Sequence, residues 1–223
     1  MPEKYVIITA GGKGMRMNSP LPKQFMPLAG KPVLMHSIEV FLHYPSPLNI
    51  ILVIPRAHFN LWAQLCQEHN FHPNIQLAEG GPTRFHSVKN GLHLVPDHAL
   101  VAIHDGVRPL VSQKTIKEAF YLAERFGNAI PVVAVNESVR IVEHAFNKPV
   151  NRDSLRMIQT PQCFRADLVK KAYETAYDES FTDDASVLER KGERIYLSEG
   201  NRENIKITTA EDLIIAEALL MKR

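Results

Sequence analysis

Short runs of apolar, mostly β-branched residues alternate along the chain with longer segments of helical length or period. The strand-like runs are Tyr5–Thr9, Ile50–Ile54, Ile75–Ala78, Val101–His104 and Ile130–Val135. Between them lie Val33–Leu42, Phe59–Glu68, Arg84–Leu94 and Lys114–Phe126 as helices. The last third continues with helices near Ala166–Tyr177 and Ala185–Arg190, then strands Ile195–Leu197 and Asn204–Ile207. Thr209 with Asp212 forms an N-terminal box for a closing helix through Met221. This alternation predicts an α/β fold, a mostly parallel, Rossmann-like twisted sheet with helices on both faces. No internal repeat or low-complexity tract interrupts it, so a single domain, 1–223, is expected.

One segment departs from the alternation. Ser138–Val142 has the pattern of a strand, but Glu143–Arg156 is polar, carries Pro149 and has no helical stripe. Two runs that can pair, Ser138–Val142 and Met157–Thr160, bound it. The segment at about 138–158 therefore reads as a protruding β-arm. A bare two-stranded ribbon is marginally stable alone. A second subunit is the natural surface for it to lie on, and a mobile surface loop is the alternative.

In an open parallel sheet, ligands bind beyond the carboxyl ends of the strands. Three chemically rich clusters fall there. After the first strand comes Ala10-Gly11-Gly12-Lys13-Gly14-Met15-Arg16-Met17, with Pro22-Lys23-Gln24-Phe25 behind it. After the third comes Gly80-Gly81-Pro82-Thr83-Arg84-Phe85-His86-Ser87, and after the fourth His104-Asp105-Gly106-Val107-Arg108-Pro109. Glycines let a backbone turn sharply and present its N–H groups to an anion. Arg16 and Lys23 add fixed positive charge suited to phosphate oxygens. No Gly-Lys-Ser/Thr ends the turn, and Met17 occupies the third glycine position of the dinucleotide fingerprint. A phosphate-bearing substrate of another kind is implied.

Composition narrows the partners. At 223 residues and 45% hydrophobic, the chain has material for a sizeable core. A formal net charge of +2 provides no broad basic footprint for nucleic acid, so anion binding rests on local clusters. Cys66 and Cys163 lie far apart with no CxxC pattern, which points to reduced thiols rather than a zinc site or disulfide. The first residues run straight into a strand without a leader-like pattern, and no apolar stretch approaches the roughly 20 residues of a membrane span. A cytoplasmic protein with neither nucleic-acid nor membrane partners is expected.

Individual residues leave alternatives open. Asp105, at a strand end before a glycine, suits a ribose hydroxyl or a Mg²⁺ ion, with a helix or turn cap as the alternative. Arg108 either contacts phosphate or pairs with Asp105; Ser87 either caps or meets a base edge. His104 reads as a packed strand-end residue, since no second histidine lies at ligand spacing. Asp183-Asp184 reads as an acidic helix start beside Thr182 rather than a metal site. Strand alternation at Asn204–Thr208 puts Ile205 and Ile207 on one face and Lys206 on the other. No Ser-His-Asp or Cys-His arrangement is evident, which favours a mechanism without a covalent enzyme intermediate.

The glycine-rich turn, Pro22-Lys23-Gln24-Phe25, His104–Pro109, Gln159-Thr160-Pro161-Gln162, Thr182-Asp183-Asp184-Ala185-Ser186 and Asn204-Ile205-Lys206-Ile207-Thr208 occur in the order seen in one enzyme family. From residue 5 to about 220 the chain resembles the 2-C-methyl-D-erythritol 4-phosphate cytidylyltransferases of the non-mevalonate isoprenoid pathway. The resemblance implies that CMP passes from CTP to a polyol phosphate with release of pyrophosphate, with Mg²⁺ as cofactor. It implies Arg16 and Lys23 at the pentavalent α-phosphate, and Arg152 and Lys206 holding the acceptor for in-line attack. Ala10, Gly11, Gly12, Gly14, Gly81, Ser87 and Asp105 fall where the family binds the nucleotide. Asp105, Arg108, Ser138, Thr160 and Thr182 fall on the ribose and acceptor side. The metal is implied to be held by the CTP phosphates, with Asp105 as the protein residue nearest that role. An arm that crosses to a dimer partner is also implied, so that Arg152 acts in the neighbouring site.

Three positions depart from the family pattern. Pro82 stands where an acid is common beside the cytosine, Ser138 replaces a frequent threonine, and Gly11 replaces a common alanine. A sister family, ribitol 5-phosphate cytidylyltransferase, shares the glycine-rich turn and the Lys-Ile-Thr-Thr end. Arg152-Asp153-Ser154-Leu155 and Thr182–Ser186 lean toward the methylerythritol enzyme. A catalytically silent nucleotide-binding module on the same fold would have lost Arg16, Lys23 or Lys206, and all three are present.

Overall fold

A computed structural model describes residues 2–12, 21–144 and 146–222. The apolar run that opens the chain becomes β1 (Lys4–Thr9), whose last four residues are buried. A small ribbon, β2 (Pro27–Leu28) with β3 (Lys31–Pro32), leads into α1 (Val33–Leu42). The alternating part continues through β4 (Asn49–Ile54), α2 (Phe59–Glu68), β5 (Gln76–Glu79), α3 (Arg84–Leu92), β6 (Leu100–Asp105), α4 (Gln113–Phe126) and β7 (Asn128–Ala134). Then come β8 (Val139–Glu143), β9 (Phe146–Val150), β10 (Arg156–Ile158), β11 (Gln162–Arg165), α5 (Ala166–Ala172), α6 (Asp184–Glu189), β12 (Leu197–Glu199) and α7 (Ala210–Leu220).

Among the described residues the main sheet runs β10-β7-β11-β6-β1-β4-β5, with β12 added to β7. The pairs β6–β1, β1–β4, β4–β5 and β7–β12 are parallel, while β10 and β11 insert antiparallel to β7. Adjacent residues of β1 feed opposite faces, as strand geometry requires. Val6 and Ile8 pack with Ile38 and Phe41 of α1, Trp62 of α2 and Phe120 of α4. Ile7 packs with Val88 and Leu92 of α3, Val169 of α5 and Leu188 of α6. Helices therefore cover both faces, as the pattern predicts, and the carboxyl ends of β1, β5 and β6 lie toward one edge. Thr209 and Asp212 do form a capping box at the start of α7. A smaller cluster of Leu28, Val33, Val107, Leu110, Ile207 and Ala216 seats α7 beside the end of β6.

Four expectations need correction. The arm exists, but Ser138–Val142 does not pair with Met157–Thr160. β8 pairs with β9 in a ribbon of its own, and β10 joins β7 of the main sheet. Pro149 is tolerated in β9 because a two-stranded ribbon is all edge. The last third contains β12 at Leu197–Glu199, two residues later than expected, and α5 stops at Ala172 rather than Tyr177. Asn204–Ile207 is not a strand. Its backbone is satisfied by side chains and turn contacts instead of a ladder: Arg108 Nη1 donates to the Asn204 carbonyl, and Ile207 N–H donates to the Val107 carbonyl.

β10 and β11 are one antiparallel strand interrupted above the end of β6. Ile158 faces Val132 whereas Cys163 faces Ala129, so five residues on one side span three on the other. Such a bulge re-aims side chains. Here it turns Gln159 and Thr160 toward the end of β6 and the segment before α7, which positions the site. Among the described residues, no helix is long and apolar enough to cross a membrane.

Candidate active site

A cavity of about 340 Å³ opens at the carboxyl edge of the sheet, lined by residues from all three expected clusters. β1 ends at Thr9, and Ala10, Gly11 and Gly12 follow it into the cavity wall. A single 3₁₀ turn, Lys23–Phe25, brings Lys23 to the same wall. That turn is rooted by its neighbours: Phe25 is buried, and Gln24 Nε2 donates to the Ala10 carbonyl at 2.7 Å. Opposite stands the start of α3, where Thr83 is the N-cap and Gly81, Pro82, Arg84 and Ser87 face the cavity. Gly81 has no alternative here, because a Cβ would collide with both the side chain and backbone of His86. Ser87 Oγ donates to the Thr83 carbonyl at 3.0 Å and accepts the Gly81 N–H at 3.0 Å, so its one hydrogen is committed.

Asp105, the last residue of β6, is the centre of charge. Arg84 Nε lies 3.3 Å from its Oδ1, while Lys206 Nζ at 2.9 Å and Arg108 Nε at 3.5 Å face Oδ2. Burial alone would raise its pKa; Arg84, Lys206 and Arg108 outweigh that and hold the carboxyl far below the ordinary carboxylate range. Arg84 also reaches backward, with Nη1 and Nη2 in a bidentate pair with the fully buried Asp184 at 2.8 and 2.7 Å. Tyr173 donates to the same Asp184 at 2.6 Å. Burial disfavours the Arg84 charge, but Asp184 and Asp105 overcompensate and set its pKa well above normal. Among the described lining residues, Lys23, Arg84 and Lys206 are cationic and Asp105 alone is a carboxylate. Counting Asp184 behind Arg84 and Arg108 beside Asp105, the cations still outnumber the carboxylates, so the cavity suits an anionic ligand.

His104 is the packed strand-end residue expected. It is fully buried edge-on against Phe41, with Nε2 3.0 Å from the Arg108 carbonyl and Nδ1 3.0 Å from Thr160 Oγ1. A carbonyl only accepts, so Nε2 carries the hydrogen and Nδ1 accepts from Thr160. Burial lowers its pKa to about 4, against the pull of Asp105 and with the repulsion of Arg108 and Arg84 added. The unfolded chain therefore binds one more proton than the folded one between about pH 4 and pH 6.5. Stability is expected to fall as pH drops through that window, by about 3 kcal/mol in full. The lowered pKa of the half-buried His36 acts in the same direction. The loss tied to Asp105 comes only at lower pH, below the usual carboxylate pKa. Urea unfolding near pH 7 and pH 4.5 checks this, with His104→Gln expected to flatten the difference; equal slopes for both proteins would refute it.

The cavity gathers Ala10, Gly11, Gly12, Lys23, Gly81, Ser87, Asp105 and Lys206 of the expected set. Arg108 joins through Asp105, pairing with it while Nη1 donates to the Asn204 carbonyl at 2.7 Å. Thr160 is buried beneath the wall, its hydroxyl accepting the Asp105 N–H at 3.1 Å. Three expected residues stand apart from the cavity and are exposed: Ser138 before β8, Arg152 after β9 and Thr182 before α6. Gly14 and Arg16 lie outside the described residues. Asp183 is the N-cap of α6 in a capping box, as its sequence position implies. Among the described residues, no group of three or more His, Cys, Asp and Glu is placed to hold a metal. Two residues were overlooked in the sequence, Gln24 and Arg84. Arg84 carried a signal, since a cation in the first turn of a helix opposes the helix dipole and needs another reason to be there.

With the site defined, comparison with known proteins is decisive. The family model described as 2-C-methyl-D-erythritol 4-phosphate cytidylyltransferase matches residues 5–222. The chain belongs to that family. A cytidylyltransferase of this name from Bacteroides thetaiotaomicron is 54% identical over 218 residues, covering 98% of this chain and 100% of that protein. Another, from Geobacillus kaustophilus, is 38% identical and covers 97% of this chain and 96% of its own length. The crystal structure of a cytidylyltransferase of this name from Francisella tularensis superposes with a TM-score of 0.80 at 32% identity, covering 97% of this chain and 99% of that one. The 4-diphosphocytidyl-2C-methyl-D-erythritol synthase from Anaerococcus prevotii gives 0.84 at 29% identity, covering 99% and 96%. The cytidylyltransferase fold is thus matched from end to end, and the chain is a nucleotidyltransferase of that family.

Proposed function

We propose that the protein transfers CMP from CTP to 2-C-methyl-D-erythritol 4-phosphate. The observation that carries this reading is the polycationic cavity at the ends of β1, β5 and β6, in a chain of the methylerythritol rather than the ribitol family. An oxygen of the acceptor phosphate attacks the α-phosphorus of CTP. The new P–O bond forms as the bond to the β-phosphate oxygen breaks, and pyrophosphate leaves. Because the substrate is its own nucleophile, the protein needs only to align two phosphates and neutralise the charge that builds between them.

Lys23 faces the reacting α-phosphate from its 3₁₀ turn, and the family resemblance assigns Arg16 the same task. Ala10, Gly11, Gly12, Gly81 and Ser87 surround the nucleoside and Asp105 binds its ribose, while Gly14 is assigned to the nucleotide by resemblance alone. Lys206 holds the acceptor together with Arg152 of a second copy, Arg108 supports that side through Asp105, and the resemblance alone assigns Ser138, Thr160 and Thr182 to it. Mg²⁺ fits through the triphosphate rather than through a protein cage. Asp105 is the single carboxylate on offer among the described lining residues, and both its oxygens already face cations. Bound there, the ion would offset phosphate negative charge, with Asp105 the protein carboxylate nearest to it.

The arm supports a homodimer. Val142 and Phe146 expose 73% and 81% of their surfaces on the ribbon, where water is poor company for them. Arg152, exposed beside the same arm, serves the partner's site.

Pyrophosphate release with CTP and Mg²⁺ tests the reading, with methylerythritol phosphate compared against ribitol 5-phosphate as acceptor. Strong preference for the first is expected, and preference for ribitol phosphate would overturn the assignment. Sedimentation showing a stable monomer would remove the shared site.

A further inference from the structure

Lys206 stands in a segment, 200–208, that belongs to no strand or helix, yet its Nζ meets Asp105 at 2.9 Å. A lysine stem is long and flexible, so a defined ammonium position needs a backbone held on both sides. Downstream, Ile207 is fully buried and its N–H donates to the Val107 carbonyl at 2.9 Å. Upstream, the task falls to Asn204, whose exposure is 0%. Its carbonyl accepts from Arg108 Nη1 at 2.7 Å and from Gln159 Nε2 at 3.4 Å. Its Nδ2 donates to the Thr160 carbonyl at 2.8 Å and to Gln159 Oε1 at 3.4 Å. Gln159 also ties down the start of the turn, donating to the Asn201 carbonyl at 2.9 Å and accepting the Asn201 N–H at 3.2 Å.

Thr160 is the common anchor. Its hydroxyl accepts the Asp105 N–H while its carbonyl accepts Asn204 Nδ2. Both members of the Asp105–Lys206 pair therefore hang from one residue of the bulge between β10 and β11. We infer that Asn204, braced by Gln159, is a positioning residue for Lys206. It touches no ligand, and it sets where the ammonium stands relative to Asp105 and to the acceptor phosphate. The inference rests on the proposed reading of Lys206 as a holder of that phosphate.

A double-mutant cycle separates this role from general structural support. Asn204→Ala is expected to lower kcat/KM for the acceptor about 10- to 100-fold in the parent, but less than about 2-fold when Lys206→Ala is already present. The KM for CTP is expected to stay within about 3-fold, because the loss is confined to the acceptor side. Gln159→Leu gives the same cycle should Asn204→Ala fail to fold. A crystal structure of either variant should show Nζ of Lys206 out of hydrogen-bond reach of Asp105. Equal losses with and without Lys206, or an unmoved Lys206, would overturn the positioning role while leaving the proposed reaction intact. A fully active Lys206→Ala would instead overturn the reading of Lys206 itself, and the inference with it.

Discussion

Lys23→Ala is expected to lower kcat by about 10²- to 10³-fold, the cost of removing one preorganised donor from a developing negative charge. Two observations and one chemical argument make Lys23 such a donor. It lines the cavity from a 3₁₀ turn whose next two residues are buried, so its Cα is fixed by packing and by the Gln24 bond to Ala10. It approaches from the glycine-rich wall, with Cε within 3.7 Å of where a Gly12 Cβ would lie. Finally, the transfer creates charge on phosphate oxygens without any proton relay through the protein, so fixed cations carry the catalytic effect. On the proposed reading, ground-state binding of CTP is spread over the backbone of residues 10–12, the start of α3 and Asp105, and should weaken much less. Single-turnover rates beside equilibrium CTP binding make the comparison. Equal loss in both would make Lys23 a ground-state binder rather than a transition-state one.

Much of this site was legible because a rule of topology did the gathering. Asp105, Lys23 and Gly81 are far apart in sequence, yet each directly follows, or turns back toward, the end of a sheet strand. Residues positioned by irregular structure were harder to place. The alternation of Asn204–Ile207 is that of a strand, but side chains of Arg108 and Gln159 take the place of a neighbouring strand. The arm misled for a related reason. Both Phe146–Val150 and the run from Met157 have strand-like pattern, and it is the first that pairs with β8. The turn between β8 and β9 contains His144 at a positive φ of 53° rather than the Asn-Gly or Gly-rich pair that announces a hairpin. Arg84 was hidden by its neighbours. Glycines and Ser87 drew attention to the loop, while the partner that explains Arg84, Asp184, is a hundred residues away. Ser138, Arg152 and Thr182 rest on resemblance alone, and within one chain nothing in their surroundings draws them to the cavity.

Arg84→Met is expected to destabilise the fold by about 3–5 kcal/mol, the usual cost of stranding one member of a buried ion pair. Asp184 is completely buried and takes both its guanidinium bonds from Arg84. Without them only the Tyr173 hydroxyl still donates to a carboxylate shut away from water. Adding Asp184→Asn should recover more than about 1 kcal/mol, since a neutral amide still accepts from Tyr173 and carries no stranded charge. Activity should not follow stability. Arg84 Nε also holds Asp105 Oδ1, and neither methionine nor the second substitution restores that contact. The double variant should therefore unfold later than Arg84→Met in urea yet turn over no faster. If it were no more stable, the charge pair would not be the source of the cost. If its activity returned, Asp105 would be held well enough by Lys206, Arg108 and Thr160 alone, and the bridge through Arg84 would serve the fold and not the chemistry.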